Sequence, residues 1–254
     1  MLRAPIGRPI VIVDVGAQKL ADEDHIYAPL LRPDIDWRCI GFEPLDHRRT
    51  ERLASEIDPR LQMMDAFIGD GQRHVFHTVN DDGSSSLLKL NETFNAAYEH
   101  ISTLQIVGTE EVQTHRLDDI LKAEQVVDFL KFDIQGFETR ALQNATELLQ
   151  RTNVVHCECF FGPMYDGQGY FADIDILLRA AGFEFIDFTY AARYRYVSVE
   201  EPSQTGERMI WADAVYFRRL DPARDGRSNF VAQAAVADLV YRKPGLAQFI
   251  LARL

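Results

Sequence analysis

Apolar residues in this chain fall into short runs that stop at charged or small residues. Ile10-Val11-Ile12-Val13 stops at Asp14-Val15-Gly16-Ala17, and Trp37 to Phe42 stops at Glu43-Pro44. Leu61 to Met64 stops at Asp65-Ala66, and Val126 to Phe132 stops at Asp133. Short β-branched and aromatic runs that close on a turn predict buried strands entering loops. Between them the period becomes helical. The spacing predicts helices over Glu23–Leu31, Asp46–Ile57 with Asp46 as N-cap, Leu117–Lys122, Phe137–Leu149 and Phe171–Ala181, with Gly182 closing the last. In the helix from Phe137, positions Phe137, Ala141, Leu142, Ala145, Leu148 and Leu149 share one face. Val154 to Phe161, Phe183 to Phe188 and Ile210 to Phe217 read as later strands, and Asn229 to Leu254 as a helical tail broken near Pro244-Gly245.

Alternating strands and helices imply right-handed βαβ units, hence an α/β fold with a mostly parallel central sheet and helices on both faces. The segment 65–116 departs from that rhythm. It holds strand patterns at Arg73–Thr78 and Val107–His115, separated by Asp81-Asp82-Gly83 and Ser84-Ser85-Ser86. It is expected to be an elaboration beside the main sheet, with antiparallel strands. The expected organisation is one domain over 1–220 and a C-terminal helical tail over 221–254, which packs on the core or mediates a homodimer.

Composition narrows the function classes. The chain has 254 residues, 46% of them apolar, and a formal net charge of −12. Such a surface repels phosphate backbones, so no nucleic-acid partner is expected. The three cysteines, Cys39, Cys157 and Cys159, lack zinc-site spacing and read as reduced core thiols. No stretch suggests a signal peptide or approaches the ~20 apolar residues of a membrane span, so a cytoplasmic protein without a membrane partner is expected.

In open α/β sheets, ligands bind at the carboxyl ends of the strands. Four carboxylates sit there: Asp14, Glu43, Asp65 and Asp133. The Gly16-Ala17 turn admits close backbone approach by a ligand. Glu43 stands where such folds place the acid that holds ribose hydroxyls, and Asp65 where an adenine amino group would lie. The pocket is therefore expected to take an adenosine compound. Gly16 is followed by Ala17-Gln18-Lys19-Leu20, without the G-x-G-x-x-G of pyrophosphate-binding loops, and no P-loop is present. This weighs against a nucleotide-linked oxidoreductase and favours S-adenosyl-L-methionine, which has no phosphate.

These segments, in this order, resemble the FkbM-type methyltransferases. The resemblance is carried by Val13-Asp14-Val15-Gly16-Ala17, Gly41-Phe42-Glu43-Pro44, Ser84-Ser85-Ser86-Leu87, the run from His115 to Leu121, and above all the run from Phe129 to Glu138 that includes Lys131, Asp133 and Gln135. Trp211 to Phe217 resembles the family's closing strand. The resemblance implies a Rossmann-like class I methyltransferase fold and O-methylation of a hydroxyl on a sugar or small natural-product acceptor. N- or carboxyl-methylation, or a noncatalytic S-adenosylmethionine-binding module, are the alternatives. The expected cofactor-binding set is Asp14, Gly16, Ala17, Glu43, Pro44, Asp65, Ala66, Ser85, Asp133 and Gln135.

Methyl transfer from a sulfonium is an in-line displacement, and an alcohol acceptor also loses a proton. The expected catalytic candidates are Asp133, Glu138 and Glu158, with Asp133 accepting the proton or contacting the cofactor's amino group. His115 and His156 are further possible bases. Lys131 is expected to alternate away from the neighbours of Asp133 and to pair with Glu138 or Glu158. Tyr165, Gln168 and Tyr170 are expected to line the acceptor pocket. Tyr190, Tyr194 and Tyr196, with Arg193 and Arg195, suit a sugar or an anionic acceptor. No cluster has metal-ligand spacing, and a metal-independent reaction is expected.

Overall fold

The computed structural model describes residues 6–19, 24–197, 199–200, 204–223 and 225–254. The first half of the chain forms β1 (Ile10–Val15), β2 (Trp37–Phe42), α1 (Asp46–Ser55), β3 (Leu61–Met64), β4 (Phe67–Ile68), β5 (Arg73–Val79), α2 (Glu92–Asn95), β6 (Ile106–His115) and α3 (Leu117–Ile120). The second half forms β7 (Phe129–Phe132), α4 (Glu138–Gln143), α5 (Thr146–Gln150), β8 (Val154–Phe160), α6 (Phe171–Ala180), β9 (Phe183–Tyr194), β10 (Arg208–Arg218), α7 (Arg227–Ala235) and α8 (Pro244–Leu251).

Seven strands make the central sheet in the order β3-β2-β1-β7-β8-β10-β9. Neighbours from β3 to β8 pair in parallel, and β10 runs antiparallel to both β8 and β9. This is the Rossmann-like sheet expected from the sequence. Chain order reverses between β1 and β7, which makes the crevice at their carboxyl ends the place for a ligand. The elaboration forms a separate three-stranded sheet, β4-β6-β5, with β5 antiparallel to β6 and β4 parallel to it.

Alternation along the strands creates two apolar cores. One face presents Val13, Val15, Leu130, Phe132 and Val155 to α4, α5, α6 and the small sheet. The other presents Ile10, Ile12, Phe129, Val154, Val215 and Phe217, covered by Phe230, Ala234, Val236, Val240 and Ile250 of the C-terminal segment. That segment thus packs on the sheet. Its α7 continues into a π-turn over Val236–Val240, and Pro244 opens α8 at a position where its missing N–H has no role. Gln233 Nε2 donates to the carbonyls of Asn153 and Arg218, and Asn229 Oδ1 accepts from Arg8.

Three elements differ from the sequence expectation. Glu23 of the predicted helix Glu23–Leu31 lies outside the described residues, and the remainder holds one 3-10 turn, Ala28–Leu30. Pro29 has no N–H to give an α-helix there and clashes with the preceding turn. The predicted helix Phe137–Leu149 is two helices. Asn144 Nδ2 donates to the Arg140 carbonyl, competing with the helical ladder, and Asp118 then accepts from the free N–H groups of Glu147 and Leu148 that open α5. Asp46 is the first helical residue rather than the cap, a place in the first turn that still suits a carboxylate. Among the described residues no helix is long and apolar enough to cross a membrane.

The packing makes the C-terminal segment integral to the second core. Replacing Phe230, 1% exposed, with alanine is expected to lower stability by about 3–5 kcal/mol through lost burial and the cavity left behind. A urea unfolding curve checks it: the midpoint falls and the slope stays constant.

Candidate active site

At the carboxyl end of β1 the chain turns at Gly16, whose φ is +80°. A β-carbon there would stand 1.8 Å from the Asp133 carbonyl oxygen, so the close approach of the two strand ends requires glycine. The N–H groups of Gly16 and Ala17 both donate to the Phe42 carbonyl, and that of Asp133 donates to Val15. Three strand ends are thereby stitched together. Above them opens a cavity of about 720 Å³ lined on one side by Gly16, Glu43, Pro44, Ala66, Phe67 and Ser85. Its other side is lined by Lys131, Asp133, Gln135, His156, Glu158, Tyr190, Tyr194, Trp211 and Asp213.

Asp14 does not line this cavity. It is fully buried beneath the Gly16 turn, where its Oδ2 accepts from Arg52 Nη1 at 2.8 Å and from the Tyr27 hydroxyl. Lys131 Nζ lies 3.5 Å from its other oxygen. Burial would push the Asp14 carboxyl up, but the charges of Lys131 and Arg52 outweigh it and hold it at about 2. Arg52, itself fully buried, also donates to the Ala17 carbonyl at 2.7 Å, so the ion pair pins the turn from below. Ala17 is likewise buried away from the cavity, against Gly41. The expected contact of Asp14 with cofactor is therefore replaced by a supporting role. Its alternation puts it on the face of Ile10 and Ile12, toward α1.

Glu43 stands at the mouth of β2 as expected. It is 4% exposed, and its Oε1 accepts from the Leu45 N–H at 2.9 Å. Burial raises its carboxyl to about 7. Asp65 differs from expectation: its side chain is 68% exposed and pairs with Arg49 Nη1 at 3.3 Å, outside the cavity. Ala66, Phe67 and Ile68 form that wall instead. The three serines line the cavity in a fixed loop. Ser85 Oγ accepts from the Val79 N–H, and Ser86 Oγ donates to the Gln135 carbonyl at 2.6 Å.

After β7 the chain bends sharply, with Gln135 at φ +55° and Gly136 at φ +95°. This conformation is costly for a residue other than glycine, and the side chain of Gln135 shows what holds it. Its Nε2 donates to Asp133 Oδ1 at 2.9 Å and to Glu158 Oε2 at 3.0 Å, and its Oε1 accepts from the Tyr165 hydroxyl at 2.8 Å. Carboxylate oxygens of Asp133, Glu138 and Glu158 all lie within 4.8 Å of one another. Such crowding is relieved by protons. Burial raises Glu138 to about 8, and burial with the nearby Asp133 and Glu138 holds Glu158 well above the usual carboxylate range. Glu138 does not line the cavity: it is 1% exposed and accepts from the Ile134 N–H at 2.8 Å, closing the turn.

Lys131 contradicts its expected pairing. Residues two apart on a strand share a face, so its amine meets Asp133 Oδ2 at 3.2 Å and the Gly16 carbonyl at 3.2 Å, rather than Glu138 or Glu158. Tyr165 and Gln168 are buried scaffolding: the Tyr165 hydroxyl donates to Gln135, and Gln168 Oε1 accepts from the Tyr165 N–H. Tyr170 is an exposed cap of α6, and His115 is exposed on β6 away from the cavity. Of the late aromatics, Tyr190 and Tyr194 line the cavity, whereas Tyr196 packs on Tyr98 and Arg195 pairs with Glu99. Sequence reasoning missed Arg52, Trp211 and Asp213 as neighbours of the site. Arg52 had a signal, because a buried carboxylate such as Asp14 demands a cation on the element packed against it.

The family model described as the methyltransferase FkbM domain matches residues 14–185. The 2-O-methyltransferase NoeI of Sinorhizobium fredii (strain NBRC 101917 / NGR234) is 29% identical over 166 residues, which cover 62% of this chain. The match spans 66% of that protein, just under two thirds of its length. Among solved structures, magnesium protoporphyrin IX methyltransferase from Synechocystis PCC 6803, with bound SAM, is 10% identical with a TM-score of 0.41, over 84% of this chain and 71% of that one. A TehB-like SAM-dependent methyltransferase from Corynebacterium glutamicum ATCC 13032 Kitasato is 12% identical with a TM-score of 0.39, over 85% and 83%.

Removing Arg52 leaves the Asp14 charge buried with less compensation. Arg52→Met is expected to destabilise the protein by about 3–5 kcal/mol, and the double variant Asp14→Asn/Arg52→Met to recover much of that loss in thermal melts. Because folding lowers the Asp14 carboxyl from 3.8 to about 2, its contribution is present above pH 3.8 and lost as pH falls toward 2. Acid titration of Asp14→Asn should show that part of the stability loss missing.

Proposed function

The chain belongs to the methyltransferase FkbM domain family, and from that premise we propose that it transfers a methyl group from S-adenosyl-L-methionine to a hydroxyl of a sugar or small natural-product acceptor. The observation that carries the reading is the meeting, at the reversal of strand order, of the Gly16 cradle, the Glu43 carboxyl and Asp133 around one cavity.

The donor set suits this cofactor. One Glu43 oxygen is held by Leu45, and the carboxyl's other oxygen is left for the ribose hydroxyls. Ala66, Phe67 and Ile68 offer an apolar wall to adenine. Asp133, half-buried and aligned by Lys131 and Gln135, is the proposed partner of the ammonium of the methionine portion. Pro44, Ser85 and Gln135 complete the walls. The carboxyls of Asp133 and Asp213 suit a sulfonium cation. About 720 Å³ is ample for a ligand site and leaves room for an acceptor beside the cofactor. When bound, the cofactor supplies the electrophilic methyl. The chain supplies alignment, exclusion of water and a route for the hydroxyl proton. Tyr190 and Trp211, with ring centroids 5.1 Å apart, give the acceptor end an aromatic wall suited to a sugar face. The likeness to NoeI supports a hydroxyl acceptor.

The reading is metal-independent. Gln135 Nε2 occupies the space between Asp133 and Glu158 and donates to both, a place a shared cation would need. It is also cytoplasmic and apart from nucleic acid, supported by three free buried thiols and a net charge of −12.

Calorimetric titration with S-adenosylhomocysteine tests the pocket. Micromolar binding is expected, weakened about 30-fold or more in Glu43→Ala. Since Glu43 titrates at about 7 and its ionised form is the better acceptor, affinity should rise as pH rises through 7, and this dependence should vanish in Glu43→Gln. Excess chelator should leave methyl transfer unchanged. Failure of the wild-type protein to bind overturns the reading.

A further inference from the structure

His156 lines the cavity from β8 although it is 4% exposed, and nothing in the cofactor pocket uses it. Its Nδ1 lies 3.2 Å from the hydroxyl of Tyr241, and the two rings stack with an interplanar angle of 13°. Phe129 packs against both rings. Tyr241 belongs to the C-terminal segment, beyond the residues 14–185 that the family model matches. It follows the π-turn Val236–Val240 directly, and the Tyr241 N–H closes that turn on the Val236 carbonyl at 3.3 Å. The next residue, Arg242, takes φ +52°. A widened turn followed by a left-handed residue is an expensive way to end a helix, and here it delivers one hydroxyl to one imidazole.

Two of the cavity's other acid–base groups, Asp133 and Glu158, are engaged. Asp133 accepts from Lys131 with one oxygen and from Gln135 with the other. Glu158 is buried among carboxylates and accepts from Gln135. The Tyr241 hydroxyl beside Nδ1 has two arrangements: it accepts from Nδ1–H, which leaves the lone pair on Nε2, or it donates to Nδ1, which leaves the proton on Nε2. Nε2 stands 3.8 Å from Asp213 Oδ2 on β10. The charged and titratable groups around the ring are Lys131 on β7, Glu158 two residues along β8, Asp213 on β10 and Tyr241.

We propose that His156, held as its Nδ1–H tautomer by Tyr241 accepting that proton, is the acceptor through Nε2 for the substrate hydroxyl's proton and that Tyr241 is its positioning residue, so that the C-terminal segment completes the active site. The inference rests on the hydroxyl-methylation reading above. In the step, the hydroxyl O–H bond breaks and the proton passes to Nε2. The oxygen's electron pair forms the bond to the methyl carbon as the carbon–sulfur bond breaks and leaves its pair on sulfur. The imidazolium is stabilised by the Asp213 carboxylate and later returns its proton to solvent.

The test uses full-length wild type, His156→Ala and Tyr241→Phe, with radiolabelled S-adenosylmethionine and a panel of methyl hexosides and deoxyhexosides as acceptors. His156→Ala is expected to lower kcat by about 10²–10⁴-fold. S-adenosylhomocysteine affinity should stay within about twofold by calorimetry, and added imidazole should restore part of the rate. Tyr241→Phe, which keeps the ring packing, should lower kcat by about tenfold with KM little changed, and nitrogen NMR should show the His156 ring losing its Nδ1–H tautomer preference. Retention of kcat in His156→Ala, or an unaltered tautomer in Tyr241→Phe, overturns this inference alone. Transfer to no acceptor by the wild type, with cofactor still bound, overturns the hydroxyl-methylation reading and this inference with it.

Discussion

The site depends on how a carboxylate is kept charged inside the sheet. Asp14 sits under the turn that joins β1 to the cavity, with Arg52 and Lys131 supplying cations on either side of it. Each cation has a second task. Arg52 holds the Ala17 carbonyl, and Lys131 reaches the Gly16 carbonyl and Asp133. The compensation of one buried charge therefore fixes the height of the first loop, the end of β7 and the orientation of the Asp133 carboxylate that lines the cavity. A hydrophobic replacement of the cluster could pack as well, but it would not carry the polar geometry upward into the cavity.

A second constraint works along the adjacent edge of the site. Gln135 is held in a left-handed conformation by four partners: Asp133, Glu158, Tyr165 and the Ser86 hydroxyl on its carbonyl. Strain of this kind survives only where the surroundings over-determine it. Its effect is to hold one amide donor against the carboxyls of both Asp133 and Glu158. Glu138 closes the same turn from inside, on the Ile134 N–H.

Much of this was legible in the sequence because it follows from period and punctuation. The strand runs ending at Gly16, Glu43 and Asp133 gave the parallel sheet and the place of the cavity. What was not legible depends on direction. Asp14 and Asp65 both end strands, yet Asp14 turns into the core and Asp65 out to Arg49, because the pleat and the neighbouring helix, not the strand end, decide where each carboxylate goes. Lys131 was readable in principle, since a two-residue spacing places it beside Asp133. The role of the tail was not: no local pattern at Tyr241 announces that a π-turn brings it against β8.

The second core is built from the two ends of the described chain. Arg8 donates to Asn229, a sequence separation of 221, and Ile10 and Ile12 are covered by residues from Phe230 onward. Until that far segment arrives, one face of β1, β7 and β8 has only the partial cover of Tyr27 and Leu30. Contacts of such range are closed late and slowly, because the loop entropy precedes the gain. During refolding the half-covered sheet is thus the species most exposed to aggregation.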